Sequence, residues 1–413
     1  MHKVGRFTAA VMLICVGLAV IADKSTGSHF TQLALQWWPV LLILLGVELV
    51  LYNFRHANAD KPLRLDVGGI LLALILSAVV MGGSQATQFY EKWMSFDGVL
   101  SYADESGYKF EKAAVSIPLD ADTEKLFVEN PSGSVSVKAG PVEQVQVEAV
   151  VWVDKVGQDE AATIAEQSGV EWDTSRSVLS IKAQGKEYGE KGLFSRRKPR
   201  VNLTVILPAK QKVDVELKLT NGKAEAAQLP IREELSVRTT NGEIAVTDLS
   251  GNVSLSTTNG QIVASKIGGY ADLETTNGSV ALKEIQGNVE AKTTNGEVQA
   301  DHVNGSLTVK TTNGTVTVTE ATGQLEIQTN NGSIRAQSRK VGGDWELKAS
   351  HGAIDLALPA NADMEVDGEG RLTDVRSDFP LNISKDSVSG RIGKGTYELK
   401  LDTAGPVVIR KLD

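Results

Sequence analysis

The second half of the chain repeats one word, Thr-Asn-Gly or a close variant. Its asparagine falls at Asn221, Asn241, Asn259, Asn277, Asn295, Asn313 and Asn331, and His351 takes the same slot in a last copy, Ser350-His351-Gly352. The spacing is 18 residues, widening to 20 at the first and last steps. A second glycine stands eight residues before the slot at Gly251, Gly269, Gly287, Gly305, Gly323 and Gly343. A fixed period of this size marks a stack of like units and constrains the fold more than any local propensity does.

Within each copy, apolar residues or threonine occupy positions −6, −4, −2, +3, +5 and +8 from the slot. Around Asn277 these are Ala271, Leu273, Thr275, Val280, Leu282 and Ile285; around Asn313 they are Leu307, Val309, Thr311, Val316, Val318 and Ala321. Polar residues lie between them, such as Asp272 with Glu274 and Glu290 with Lys292. Period-two alternation of this kind means half-buried strands, two per copy, with a turn at each end.

Two architectures fit. Asn-Gly is a strong hairpin signal, so each copy can be drawn as an antiparallel hairpin. A long meander, however, leaves its whole apolar face uncovered unless it closes or finds a second layer. A β-solenoid needs neither, because each copy is one coil whose apolar set points inward and whose strands stack in parallel on the next coil. Like then stacks on like: the asparagines form an internal hydrogen-bonded ladder, glycine supplies a positive φ at the corner, and outward charges such as Glu274 and Lys292 fall side by side. The expected fold class is therefore an all-β repeat domain, a single-stranded parallel β-helix with 18-residue coils, regular over about residues 213–358. With strands roughly 4.8 Å apart, eight coils make a rod about 40 Å long.

The flanks suit capping. Phe127 to Val135 reads as a degenerate first copy, Val145–Val153, Val178–Ala183 and Val201–Leu207 as strands, and Gln158–Gln167 as a short amphipathic helix. The chain closes with Gly393-Lys394-Gly395-Thr396-Tyr397-Glu398-Leu399-Lys400-Leu401 and a last strand from Val407 to Arg410. On the repeated Thr-Thr-Asn-Gly words and this terminal stretch, residues 122–413 resemble the bacterial putative-adhesin family of β-strand repeat proteins. The resemblance implies a β-helix and a role in adhesion; it transfers no binding residue.

The first 85 residues obey other rules. Apolar stretches run over residues 7–22, 33–54 and 67–83, and about 17–25 apolar residues cross a bilayer as a helix. The expectation is three transmembrane helices in a membrane region 1–84, then a juxtamembrane stalk 85–121. Lys3 and Arg6 precede the first stretch, and Arg55, Lys61 and Arg64 separate the second from the third. Positive-inside logic puts these in the cytoplasm and the C-terminal domain outside it. A cleaved signal peptide or lipidation at Cys15 is disfavoured, since Ile14 precedes the cysteine and no small-residue cleavage site follows. Glu48 in the second stretch is read as reaching the cytoplasmic interface rather than as a functional intramembrane carboxylate. The Trp37-Trp38-Pro39 start and the Leu/Ile/Gly run after it resemble the membrane region of LiaI/LiaF-like envelope-stress proteins, which implies a bacterial cell membrane.

Chemistry is sparse. The single cysteine, Cys15, excludes an intramolecular disulfide and a thiolate cluster, and the five histidines are scattered. No catalytic, cofactor or metal residues are assigned. A net charge of −9 and an extracytoplasmic placement argue against nucleic acid. Carboxylates on the outward strand face (Asp272, Glu274, Glu290, Glu326) leave a glycan-cleaving β-helix enzyme as a minor reading. An ice-binding array of the outward threonines, such as Thr240 and Thr258, is broken by uneven neighbours at −3. The best local binding candidate is the basic run Arg196, Arg197, Lys198 and Arg200, suited to an anionic wall polymer or headgroup. The expected function is a non-enzymatic, membrane-anchored envelope protein that adheres, binds or scaffolds, with the membrane, a cell-wall polymer or another envelope protein as partner. The alternative is an envelope-stress regulator acting through its membrane helices.

Overall fold

The computed structural model describes residues 107–189, 197–370, 372–384 and 386–412, together with a two-residue pairing near the N-terminus. The chain divides into units Met1–Asp104 and Glu105–Asp413. In the first unit Lys3–Val4 pairs in parallel with Arg64–Leu65. The three apolar stretches and Glu48 lie outside the described residues. Among the described residues no helix is long and apolar enough to cross a membrane.

The second unit is a two-sided β-solenoid. Strands that end at the asparagine slot (Val213–Asn221, Ile231–Asn241, Asn252–Asn259, Ala271–Asn277 and onward to Trp345–His351) form sheet 1. Strands that follow it (Ala224–Ala227, Ile244–Leu249, Ile262–Ile267, Val280–Ile285 and onward to Ile354–Pro359) form sheet 2. The two strands of one copy lie in different sheets, and each pairs in parallel with its counterpart in the next copy, Asn277 opposite Asn295 and Val280 opposite Val298. That register excludes the hairpin. It also turns the inward set of every coil into one continuous core: Leu273, Val280 and Ile285 have no exposed surface. Each such side chain contributes about 1.5–3 kcal/mol by leaving water.

The two corners are built differently. At the Asn-Gly corner the coils approach so closely that a Cβ on Gly278 would lie 1.8 Å from the carbonyl oxygen of Gly260, and one on Gly296 would lie 1.9 Å from that of Gly278. Neither residue has a positive φ, which in this row belongs only to Gly133 and Gly222, at its N-terminal end. Close approach, not backbone handedness, therefore demands glycine here, and the expected positive φ is corrected. The left-handed conformation sits instead at +7, in non-glycine residues: Gln228, Asp248, Lys266, Glu284, His302 and Glu320 all have φ between 53° and 58°. This residue absorbs the odd step between +5 and +8 and turns the chain while keeping both flanking side chains, such as Leu282 and Ile285, inside.

The stack is longer than its regular copies. Lys125–Ser132 and Val135–Gly140 continue the two sheets at one end, with Ser132 rather than Asn130 in the asparagine slot. Beyond them Val145–Val153 and Arg200–Pro208 pair antiparallel, Gly169–Ser175 and Val178–Gln184 form an antiparallel pair, and the helix Gln158–Glu166 buries Ala161, Ile164 and Ala165. Tyr108–Glu111 and Val115–Ile117, inside the segment expected as a stalk, pair with Val145–Val153. At the other end the final residues double back. Tyr397–Thr403 inserts between Trp345–His351 and Met364–Gly370, and Val407–Leu412 inserts between Ile354–Pro359 and Val375–Ser377.

Candidate binding surfaces

The asparagine ladder is real and lies on the outside. Asn241 Nδ2 donates to Asn221 Oδ1 at 2.8 Å, and the pattern repeats through Asn259, Asn277, Asn295, Asn313 and Asn331 at 2.8–2.9 Å. These side chains are exposed, so the expected internal ladder is corrected to an external one; His351 holds the next slot in register with Asn331. The inside of the same corner is lined by threonine at −2. Buried Thr257, Thr275, Thr293 and Thr329 each donate their hydroxyl to a glycine carbonyl of the preceding coil at 3.1–3.2 Å. In these four coils the hydroxyl at an otherwise apolar position is thereby satisfied, whereas the buried hydroxyls of Thr239 and Thr311 in the same row have no partner within the protein.

The outer face of sheet 1 is charged, and its charges are mostly neutralised locally. Glu274 and Lys292 do stand opposite each other in the register. Lys292, however, binds Glu290 on its own strand. The hydrogen bond from Lys292 holds Glu290 below the usual carboxylate range, and the same bond raises Lys292. Burial first, then the neighbouring Glu290, pushes Asp272 up. Tyr270 Oη lies 3.2 Å from Glu290 Oε2, and Lys310 Nζ lies 3.6 Å from Glu326 Oε1. These carboxylates sit on one flat strand face, two of them in direct register, and do not face one another across a groove. Among the described residues no group of histidines, cysteines and acids is placed to hold a metal ion.

The basic run is split. Arg196 lies outside the described residues. Arg197 is exposed, and its backbone exchanges two 2.9 Å hydrogen bonds with Tyr188. Lys198 reaches Glu187 at 3.6 Å. The Arg200 guanidinium packs 5.7 Å from the centroid of the Trp152 ring. Tyr188 itself is buried, and its hydroxyl donates to Asp154 at 2.7 Å. Burial, reinforced by that carboxylate, pushes the Tyr188 pKa up to about 12. Of the run of four cations, the structure gives two outward ones, Arg197 and Lys198, beside one stacked on indole. Trp152 was legible only as a strand residue, since nothing local announces a cation–π partner 48 residues away.

A coil of two strands, a close-packed glycine corner and an in-register asparagine ladder define a β-solenoid repeat protein. The chain belongs to the Toastrack DUF4097 family, which it matches over residues 85–267, 165–319 and 271–405. Solved structures similar to it include a putative cell adhesion protein from Clostridium sporogenes (12% identity, 74% of this chain and 100% of that one, TM-score 0.24). A putative adhesin from Parabacteroides merdae is another (14% identity, 60% and 96%, TM-score 0.34), as is a putative lipid binding protein from Parabacteroides distasonis (11%, 74% and 98%, TM-score 0.27). No curated protein matches the chain.

Proposed function

We propose that this is a non-enzymatic binding protein of the cell envelope, whose solenoid is a display surface outside the membrane held there by the N-terminal apolar stretches. The observation that carries the reading is the sheet 1 face. Its ionisable side chains are spread flat at strand spacing and paired with neighbours, an arrangement that suits contact with an extended polymer rather than catalysis at a point. The Lys3–Val4 to Arg64–Leu65 pairing supports the topology, because it needs the N-terminus and the loop before the third stretch on one side of the bilayer. The exposed Arg197 and Lys198 favour an anionic polymer as ligand. The test is co-sedimentation of the purified protein with cell-wall and membrane fractions. Retention on wall material, weakened by Arg197→Ala with Lys198→Ala, supports the reading; no retention on any envelope fraction sinks it.

A further inference from the structure

The two outer faces of the solenoid are unlike. Sheet 1 is dense in charge. On sheet 2 the outward row at +4 reads Ala245, Val263, Ala281, Gln299 and Thr317 along successive coils. The row at +6 reads Thr247, Ser265, Lys283, Asp301 and Thr319. Small side chains dominate both rows; Lys283 and Asp301, opposite in sign and adjacent, are the charges at the centre, and Arg335 continues the +4 row on the next strand, where the axis proposed below sets it against Ala245. Depletion of charge at the centre of a surface is the compositional mark of an interface core. Along its border runs the left-handed corner row, Asp248, Lys266, Glu284, His302 and Glu320, with Arg339 bonded to Glu320 at 2.9 Å at its end.

We propose that a second copy of this chain docks face to face on sheet 2, about a twofold axis parallel to the strands and midway between the Asn277 and Asn295 coils. Such an axis reverses the order of coils but keeps each position opposite its equivalent. Lys283 then meets Asp301 of the second copy, twice by symmetry. At the border Lys266 meets Glu320, and Glu284 meets His302, which lies 2.7 Å from Asp301 of its own chain and so joins the same charged cluster. The charge pattern selects this register over its neighbours. Moving the axis onto the Asn277 coil sets Lys283 against Lys283 and Asp248 against Glu320; moving it onto the Asn295 coil sets Asp301 against Asp301 and Glu284 against Glu320. Isologous pairing of this kind is the commonest route to a homodimer. Glu225 and Asp355 are like charges that fall opposite each other at the ends, but each is neutralised in its own chain, by Lys223 at 2.9 Å and Arg410 at 2.6 Å. Six strands about 20 Å long bury about 600 Å² per copy, close to the lower bound of a specific interface. The dimer is therefore a reversible one.

The experiment is sedimentation equilibrium of the full chain in neutral detergent, with two complementary variants. Lys283→Glu makes both central positions acidic, and Asp301→Lys makes both basic. Each alone is expected to weaken self-association at least tenfold, with an unchanged thermal midpoint. Mixed in equal amounts they restore it to within about threefold, because Glu on one chain then faces Lys on the other. A wild-type chain that stays monomeric at 100 µM (~ten times the micromolar range of such interfaces) overturns the proposal. So does a dimer that neither variant weakens, or a pair of weakened variants whose mixture stays monomeric. None of these outcomes depends on whether the solenoid binds a wall polymer.

Discussion

Gly296→Ala is the substitution that most directly tests why the repeat keeps its glycine. A Cβ built on Gly296 lies 1.9 Å from the carbonyl oxygen of Gly278 and 2.5 Å from its carbonyl carbon. Ordinary contact requires the two coils to part by more than about 1 Å at this corner. Parting them stretches the 3.1 Å bond from Gly278 N to Asn295 O and the 2.9 Å bond from Asn295 Nδ2 to Asn277 Oδ1. Two net hydrogen bonds at about 1 kcal/mol each, plus the desolvation left on the unpaired backbone groups, give a loss of about 3–4 kcal/mol. Coils contact only their neighbours, so the damage is felt as a weakened interface in the middle of the stack. Urea unfolding followed by far-UV circular dichroism measures it, with Gly169→Ala as the control, since nothing lies within 4 Å of that Cβ. Gly296→Asn separates the two explanations. Were a left-handed backbone the reason for glycine, asparagine would be well tolerated; close approach makes it as harmful as alanine. A Gly296→Ala midpoint equal to that of Gly169→Ala refutes the close-approach argument.

Three further outcomes are expected. Glu284, at φ 57°, pays a left-handed penalty that glycine does not, so Glu284→Gly should raise stability by about 0.5–1 kcal/mol in the same urea assay, net of glycine's entropy in the unfolded chain. Tyr188 has a folded pKa raised to about 12, so its stabilising contribution is complete below the unfolded value near 10 and is lost as pH rises through 12. Spectrophotometric titration at alkaline pH should therefore lose its latest-ionising tyrosine in Tyr188→Phe. Deleting residues 397–413 removes a coil from inside the stack and uncovers Trp345, Leu347, Ile354 and Leu356. Limited proteolysis should then cut first within 360–395, whose strands have lost their parallel partners, while the Asn241 to Asn313 coils persist.

Much of this was legible in the sequence, and the reasons can be read from single positions. The inward set of the Asn277 copy, from Ala271 to Ile285, is buried as its alternation requires. The step from +5 to +8 also carried the left-handed corner, because a strand cannot place two side chains three apart on one side without a break in handedness. Glutamate, lysine and histidine at +7 hid that break, since none is a residue that signals positive φ. Asn130, in the degenerate first copy, shows the opposite case. It occupies the −2 slot, fully buried, and donates to Val201 O at 2.7 Å. Its partner comes from a strand 71 residues away, which no periodicity announces.

The C-terminal insertion was equally invisible, and its cause is the repeat itself. A regular coil exposes an unpaired strand edge at each end, an open template for another chain. At the first end antiparallel pairs break the register. At the second end one more copy would only present the same regular edge again. Met364–Gly370 breaks the series by pairing antiparallel with Val388–Ile392, and the returning Tyr397–Thr403 fills the gap in parallel on both sides. Local periodicity builds the body of the stack, and a non-local strand with no period finishes it. With irregular terminal strands in place of another regular coil at each end, the broad sheet faces are the extended regular surfaces of the solenoid, and of these sheet 2 has the low charge and sheet 1 the high.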